Sequence, residues 1–302
     1  MNWILLLVIA YFFISLTALA DKFLVTSRSL PPAAYAFVIS TLGLVTLLLI
    51  PFGFTIPELP LLGSSLVAGI AYTAAVFFLY SALQHAEASR VFATSGAVAA
   101  VLTFIFSYLL LDERLAVVQV CGFVLLIIGG LGISLYGKGS LSRKAIGYAL
   151  LTALAFGVSY TATRHAYLHL PFISGFVWIR LFAFFAALIF IIYPKTRTEV
   201  AALLAPSSSP IAGGNSKRAL IGGQAASAVG FLILNYVISL TSAAVVLAAQ
   251  GLQYAFLLAF TTFLSIKFPK ILRETITPSA LIQKFVAILF IAAGLVLVSQ
   301  PV

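Results

Sequence analysis

The chain has 302 residues, 63% of them hydrophobic and only 8% charged, and its mean hydropathy is +1.18. That composition excludes an ordinary soluble domain, and the net charge of +10 is scattered through loops without the aromatic interleaving of a nucleic-acid platform. A single cysteine, Cys121, excludes a disulfide framework and a cysteine-rich metal site.

A hydrocarbon core about 30 Å thick is crossed by roughly 20 apolar residues of helix. In chain order the stretches of suitable length are 3–20, 32–52, 59–83, 88–111, 115–136, 145–163, 172–193, 219–240, 242–266 and 276–298. Backbone groups in lipid must be satisfied internally, and the strands of a membrane barrel would alternate apolar with polar residues, which these runs do not. The sequence therefore predicts an all-α, multi-pass membrane protein with ten transmembrane helices and no room for a soluble catalytic domain. Ala18-Leu19-Ala20 resembles a signal cleavage site, but Met1-Asn2-Trp3 carries no Lys or Arg, so the first stretch is expected to stay as a span.

Thirteen of the 17 Lys and Arg residues fall on the connections that follow odd-numbered spans. Arg114 and Arg164 lie on the opposite side, while Arg180 and Lys284 sit within spans. The positive-inside rule puts the basic side in the cytoplasm and both termini outside.

The same punctuation recurs in the two halves. Ser29-Leu30-Pro31 matches His169-Leu170-Pro171, Tyr80 and Ala88 match Tyr236 and Ala244, and Gln119 and Gly130 match Gln283 and Gly294. Five spans per half is an odd number, so the halves insert upside-down relative to each other, a transporter device. The expected units are 1–137 and 138–302, two inverted five-helix repeats hinged at Gly137-Lys138-Gly139-Ser140. Pro206 to Ser216 reads as a flexible connector.

Leu109-Leu110-Leu111-Asp112-Glu113-Arg114-Leu115, then Gln119, Gly122 and Gly129-Gly130, resembles the end of an EamA-type domain, as does Tyr80-Ser81-Ala82-Leu83 followed by Ala86 and Ala88. The chain is thus similar, over essentially its whole length, to ten-helix members of the drug/metabolite transporter superfamily. The resemblance implies an exporter or exchanger of small metabolites, amino acids or drugs, with a central cavity lined mainly by spans 1, 3, 4, 6, 8 and 9. It also implies cytoplasmic termini, against the charge count. Ser40 stands where relatives often carry Arg midway along the second span, its counterpart in the seventh being Arg180. In the second half a basic connector, Lys267 to Glu274, replaces the Asp-Glu-Arg turn.

Polar residues recur at helical spacing in four spans: Ser65, Tyr72 and Tyr80; Thr152, Ser159 and Thr163 beside Tyr160; Gln224, Ser227 and Asn235; and Gln250, Gln253, Tyr254 and Thr261. Such stripes face partner helices, as hydrogen-bonding glue worth about 0.6 kcal/mol per bond, or a watery cavity. Arg180 lies about 12 Å into the membrane, where an Arg costs on the order of 2.5–3.5 kcal/mol. Its functional role would be to attract an anionic group such as a substrate carboxylate; its structural one, to snorkel or pair with carbonyls. Lys284 is expected to snorkel. The expected substrate-binding set is Arg180, Tyr72, Tyr160, Thr163, Asn235, Gln250, Gln253 and Tyr254.

No Asp or Glu lies in the middle of a span, and Phe13, Ile14 and Ser15 occupy the depth at which small multidrug exporters place a Glu. Asp21 beside Lys22, or His85 near Glu87, are the end-of-helix alternatives for proton coupling. Three histidines lack metal-ligand spacing with any carboxylate or thiol. These features point to a secondary-active transporter of small metabolites, amino acids among them, working by alternating access in the cell (inner) membrane. Its expected partners are a small-molecule substrate and the bilayer, with no nucleic acid, cofactor, metal or catalytic residue. A lipid-carrier flippase and a polytopic membrane enzyme acting on lipids are the alternatives, the latter wanting a cluster of catalytic groups.

Overall fold

A computed structural model describes residues 3–24, 31–86, 88–134, 141–204, 214–267 and 278–300, and every regular element among them is helical. The proposed hinge at 137–140, the connector residues 206–213, the basic connector 268–274, Ser29-Leu30 and Glu87 lie outside the described residues, as do the side chains of Asp21, Lys22, Gln224 and Lys284.

The first helix, α1, is Trp3–Leu24. Helix α2, Pro32–Leu42, starts where Pro31 and Pro32 fix the first φ angles. It then changes at Gly43 into a 3-10 helix, Gly43–Phe52, closed by Gly53 at φ 111°, a left-handed turn that favours glycine. Eleven α residues and ten 3-10 residues together reach about 36 Å, where a plain α-helix of that length would reach about 31 Å. Helices α3, Leu62–Leu83, and α4, Ala88–Leu111, follow. Asp112 then takes a left-handed φ of 50°, and the Glu113 N–H turns back to the Ser107 carbonyl at 3.2 Å.

After α5, Val117–Ser134, comes α6, Arg143–His169, which Ser142 caps by accepting from the Ala145 N–H at 3.2 Å. It runs past residue 163, where the sequence suggested an end, because Leu170 is the residue before a proline and is held extended. Helix α7 is Phe172–Ile191. An additional short helix, α8, Pro194–Leu204, occupies what the sequence offered only as a connection. Helix α9 is Gly214–Leu240, and the ninth apolar stretch divides into α10, Ala243–Ala248, and α11, Gly251–Lys267. Helix α12, Pro278–Val298, ends the bundle. Six described segments are long and apolar enough to cross a membrane, and four shorter apolar helical stretches lie in α1, α5, α9 and α12. Large apolar side chains face outward, as a bilayer requires: Leu48, Leu110 and Phe285 are 72%, 73% and 64% exposed.

Helix pairing follows a pattern. Helix α3 packs on α6 and α1 on α9; α4 packs on α6 and α1 on α11; α5 packs on α12. Exchanging the first five spans for the last five in order turns each of these pairings into another of the set, or into itself. Gln119 and Gln283, matched in the two halves, each donate to a carbonyl near the end of the opposite helix, Gln300 at 3.1 Å and Gly132 at 2.9 Å. In the α5–α12 seam a side chain at Gly122 would meet the Gly294 carbonyl at 2.8 Å, and one at Gly294 would meet that of Gly122 at the same distance. Small residues permit this approach where lipid supplies no hydrophobic drive. Gly122→Leu is expected to cost about 1–3 kcal/mol by overpacking, read as a lower melting temperature in detergent; an unchanged melting point would show that the seam can relax.

Candidate functional site

The site centres on Arg180, on the face of α7 that turns toward α3 and α9. Its side chain is 5% exposed, and among the described residues it has no carboxylate in ion-pair range; Nε has no hydrogen-bond partner. Aromatic rings take the place of a counter-ion. The guanidinium carbon lies 4.3 Å from the Tyr72 ring centroid on α3, 4.2 Å from Phe231 on α9 and 5.6 Å from Phe176 one turn earlier on α7. Each lies within the roughly 6 Å over which a ring quadrupole attracts a cation. The Tyr72 and Phe231 rings are 6.3 Å apart at 60°, so the charge sits in an aromatic corner, its Nε without an acceptor among the described residues.

The change of helix type at Gly43 serves this corner. A Cβ there would stand 3.1 Å from the Arg180 Cδ, so the stem of the arginine passes directly over the bare backbone. Gly43→Leu is expected to tilt the guanidinium out of its corner and weaken substrate binding severalfold without removing the charge, measured by titration of whichever substrate is identified. Unaltered binding would free Gly43 from that role.

Around this corner the other expected residues divide into two groups. Tyr160 on α6 lies against Phe156 at 5.8 Å with the rings tilted by 38°, and Phe156 meets Tyr72 edge-on at 6.3 Å. Asn235 is buried; it accepts from the Tyr167 hydroxyl at 3.0 Å and donates to the Phe231 carbonyl at 2.9 Å, so it steadies the helix turn that presents Phe231. Thr163 is buried on α6. Gln250, Gln253 and Tyr254 stand apart, at the interruption between α10 and α11. There the Gln250 and Gln253 N–H groups donate three residues back rather than four, and the Val246 carbonyl accepts instead from the Tyr11 hydroxyl at 2.6 Å. The Gln250 side-chain oxygen presses on Gly96, the Tyr254 hydroxyl is buried without a partner, and a space of about 20 Å³, enough for one water, lies between them and Gly130. Tyr11 joins the two groups, lying within electrostatic reach of both Tyr160 and Tyr254.

Part of the polar pattern is structural glue. Thr152 bonds back to the Tyr148 carbonyl, and Ser159 crosses to the Ala68 carbonyl of α3 at 2.9 Å. Ser40, at the position matched to Arg180, shares a 3.3 Å bond with Thr73, which donates to the Ala183 carbonyl. His85 stacks on Tyr148 at 5.8 Å and its carbonyl accepts from Ser142. Four residues that position the site went unsignalled: Phe176, Phe231, Tyr11 and Gly43. The first two could have been found one turn before Arg180 and Asn235.

At the end of the bundle that carries the even-numbered connections, a second charge is fully engaged. Arg164 on α6 donates from Nε to Glu113 Oε1 at 2.6 Å, and from one terminal nitrogen to the Ile238 and Ser239 carbonyls at 3.0 and 2.9 Å. Asp112 supplies the left-handed turn that aims Glu113 there, and Arg114 pairs outside with Asp112 at 3.0 Å. The Asp-Glu-Arg run thus stops α4 and ties its end to α6 and α9. Asp112→Val is expected to destabilise by about 1–2 kcal/mol, the strain of a β-branched residue in that conformation, measurable by the same melting assay; an equal loss in Asp112→Gly would point instead to the Arg114 pair.

Among the described residues, no group of three or more His, Cys, Asp or Glu side chains could hold a metal ion. Residues 1–135 match the EamA-like transporter family. No curated protein matches the chain. A solved crystal structure at 16% identity superposes with a TM-score of 0.67, covering 97% of this chain and 94% of that one, and it is among 28 solved chains that match.

Proposed function

We propose, from the match of residues 1–135 to the EamA-like transporter family and its consistency with the drug/metabolite transporter superfamily, that this multi-pass membrane protein carries a small anionic or zwitterionic metabolite. It works by secondary-active alternating access, the carboxylate of the substrate meeting Arg180. One observation carries this reading: a buried guanidinium, held by rings and lacking a fixed counter-ion among the described residues, is an acceptor for a mobile anion. Tyr72, Tyr160 and Asn235 are assigned to the same substrate site, with Thr163 beside them. Gln250, Gln253 and Tyr254 are assigned to its second, uncharged locus. Interrupted transmembrane helices are a recurrent place for transported species.

Two inverted units, 1–137 and 138–302, are favoured by the interchangeable helix pairings and by the matched glutamines Gln119 and Gln283. A site between such units opens to either side when one rocks against the other. The membrane is taken to be the cell membrane with the basic face in the cytoplasm; a reporter fused after Val302 should then be active only outside, and activity inside would reverse the orientation.

Counterflow uptake into proteoliposomes tests the function, using labelled carboxylates, amino acids, nucleobases and organic cations with and without a pH gradient. Uptake of carboxylate-bearing compounds is expected, with any dependence on the gradient reporting proton coupling. Uptake confined to cations would overturn the assignment of Arg180.

A further inference from the structure

A groove of about 320 Å³ opens beside the site, lined by Leu6 of α1, Leu49 of the 3-10 helix, Phe172 and Ile173 of α7, and Leu232 and Tyr236 of α9. It lies in the seam between the α1–α9 pair and the pair formed by α7 and residues 43–52. The exchange that relates the two halves pairs this seam with the junction of α3 and α7, which is closely packed; α9 makes no comparable packing on residues 43–52 among the described residues. The bundle is therefore sealed at one of two matched positions and parted at the other.

The groove is apolar throughout its lining, whereas the site centred on Arg180 holds a buried charge. Their walls adjoin through stacked rings. Phe172 stacks on Phe176 at 5.6 Å, Phe176 stacks on Phe231 at 6.3 Å, and both Phe176 and Phe231 border the guanidinium. Leu232 follows Phe231 directly in the chain. Along α7, Ile173 is seven residues from Arg180, about 10 Å of helix axis. One molecule with a negative head and an apolar tail of about that length satisfies both surfaces. A purely polar metabolite leaves the groove to lipid.

We propose that the groove is a subsite for the apolar tail of an amphipathic carboxylate whose head is held at Arg180, which rests on Arg180 being the anion acceptor. The substrate class is thereby narrowed from small anions to carboxylates with an aliphatic or aromatic extension, and the parted seam gives such a tail access from the bilayer side.

The test uses the full chain in nanodiscs and a series of radiolabelled N-acylglycines, acetyl, butyryl, hexanoyl and octanoyl, with empty nanodiscs subtracting partition into lipid. Affinity is expected to rise with chain length by up to about fourfold per methylene until the groove is filled. Ile173→Trp, which occupies the groove, should flatten that rise and leave acetylglycine binding as in the wild type; Leu49→Trp does the same from the opposite wall should the first variant not fold. Arg180→Ala should weaken every member of the series. If acetylglycine binds through Arg180 but affinity stays flat with length, or the tryptophan variants keep the full rise, the groove holds annular lipid only and the proposal is overturned. If no acylglycine binds at all, the assignment of Arg180 fails with it.

Discussion

Arg180→Ala is expected to reduce the initial rate of carboxylate counterflow about 10- to 150-fold while leaving the yield of folded protein unchanged. The loss corresponds to one charge-assisted hydrogen-bonded contact to the substrate, about 1.5–3 kcal/mol. Folding should be spared because, among the described residues, the removed charge has no carboxylate partner left stranded behind it, and the attraction of each ring is offset by the cost of burying a guanidinium. Arg180→Lys should recover only part of the rate, since an ammonium cannot present the coplanar pair of donors that matches a carboxylate. Uptake by Arg180→Ala at the wild-type rate, with matched recovery from size-exclusion chromatography, would remove Arg180 from the site.

Arg164→Ala has the opposite signature, a loss of stability. Its side chain and that of Glu113 are 12% and 17% exposed, and one guanidinium serves a carboxylate and the last carbonyls of α9. Breaking such a pair leaves a buried carboxylate whose second oxygen already has no partner, a cost of about 3 kcal/mol or more. Glu113→Gln should cost distinctly less, because Arg164 keeps both carbonyls. Thermal unfolding in detergent separates the two; equal and small losses would mean that the tie between α4, α6 and α9 contributes little.

The bundle itself is legible in the sequence because a helix in lipid leaves a long apolar run that nothing else produces. Its irregularities are not. Residues 43–52 form a 3-10 helix and residues 249–250 interrupt a span inside runs whose composition differs little from their neighbours, and what accompanies them is tertiary: Arg180 passes Gly43, and the Tyr11 hydroxyl takes the Val246 carbonyl. Arg180 stood out as a charge among apolar residues, but its rings did not: with 26 phenylalanines in the chain, Phe176 and Phe231 look like lipid-facing surface. Spacing along each helix placed Gln250 and Tyr254 on a polar face, yet only packing against α4 and α5 decides that they meet each other and not Arg180.

The aromatic corner has an electrical consequence. A guanidinium held by rings brings a whole positive charge toward the middle of the membrane with no fixed carboxylate beside it among the described residues, and a potential of 100 mV is worth about 2.3 kcal/mol to a full charge that crosses all of it. In the function proposed above, binding a monoanion there would neutralise the site, so the loaded carrier would turn over as an almost uncharged body and the empty one would carry the charge back. Voltage would then govern the return of the empty carrier, and the membrane potential would set how quickly the cycle restarts more than how tightly it takes its cargo.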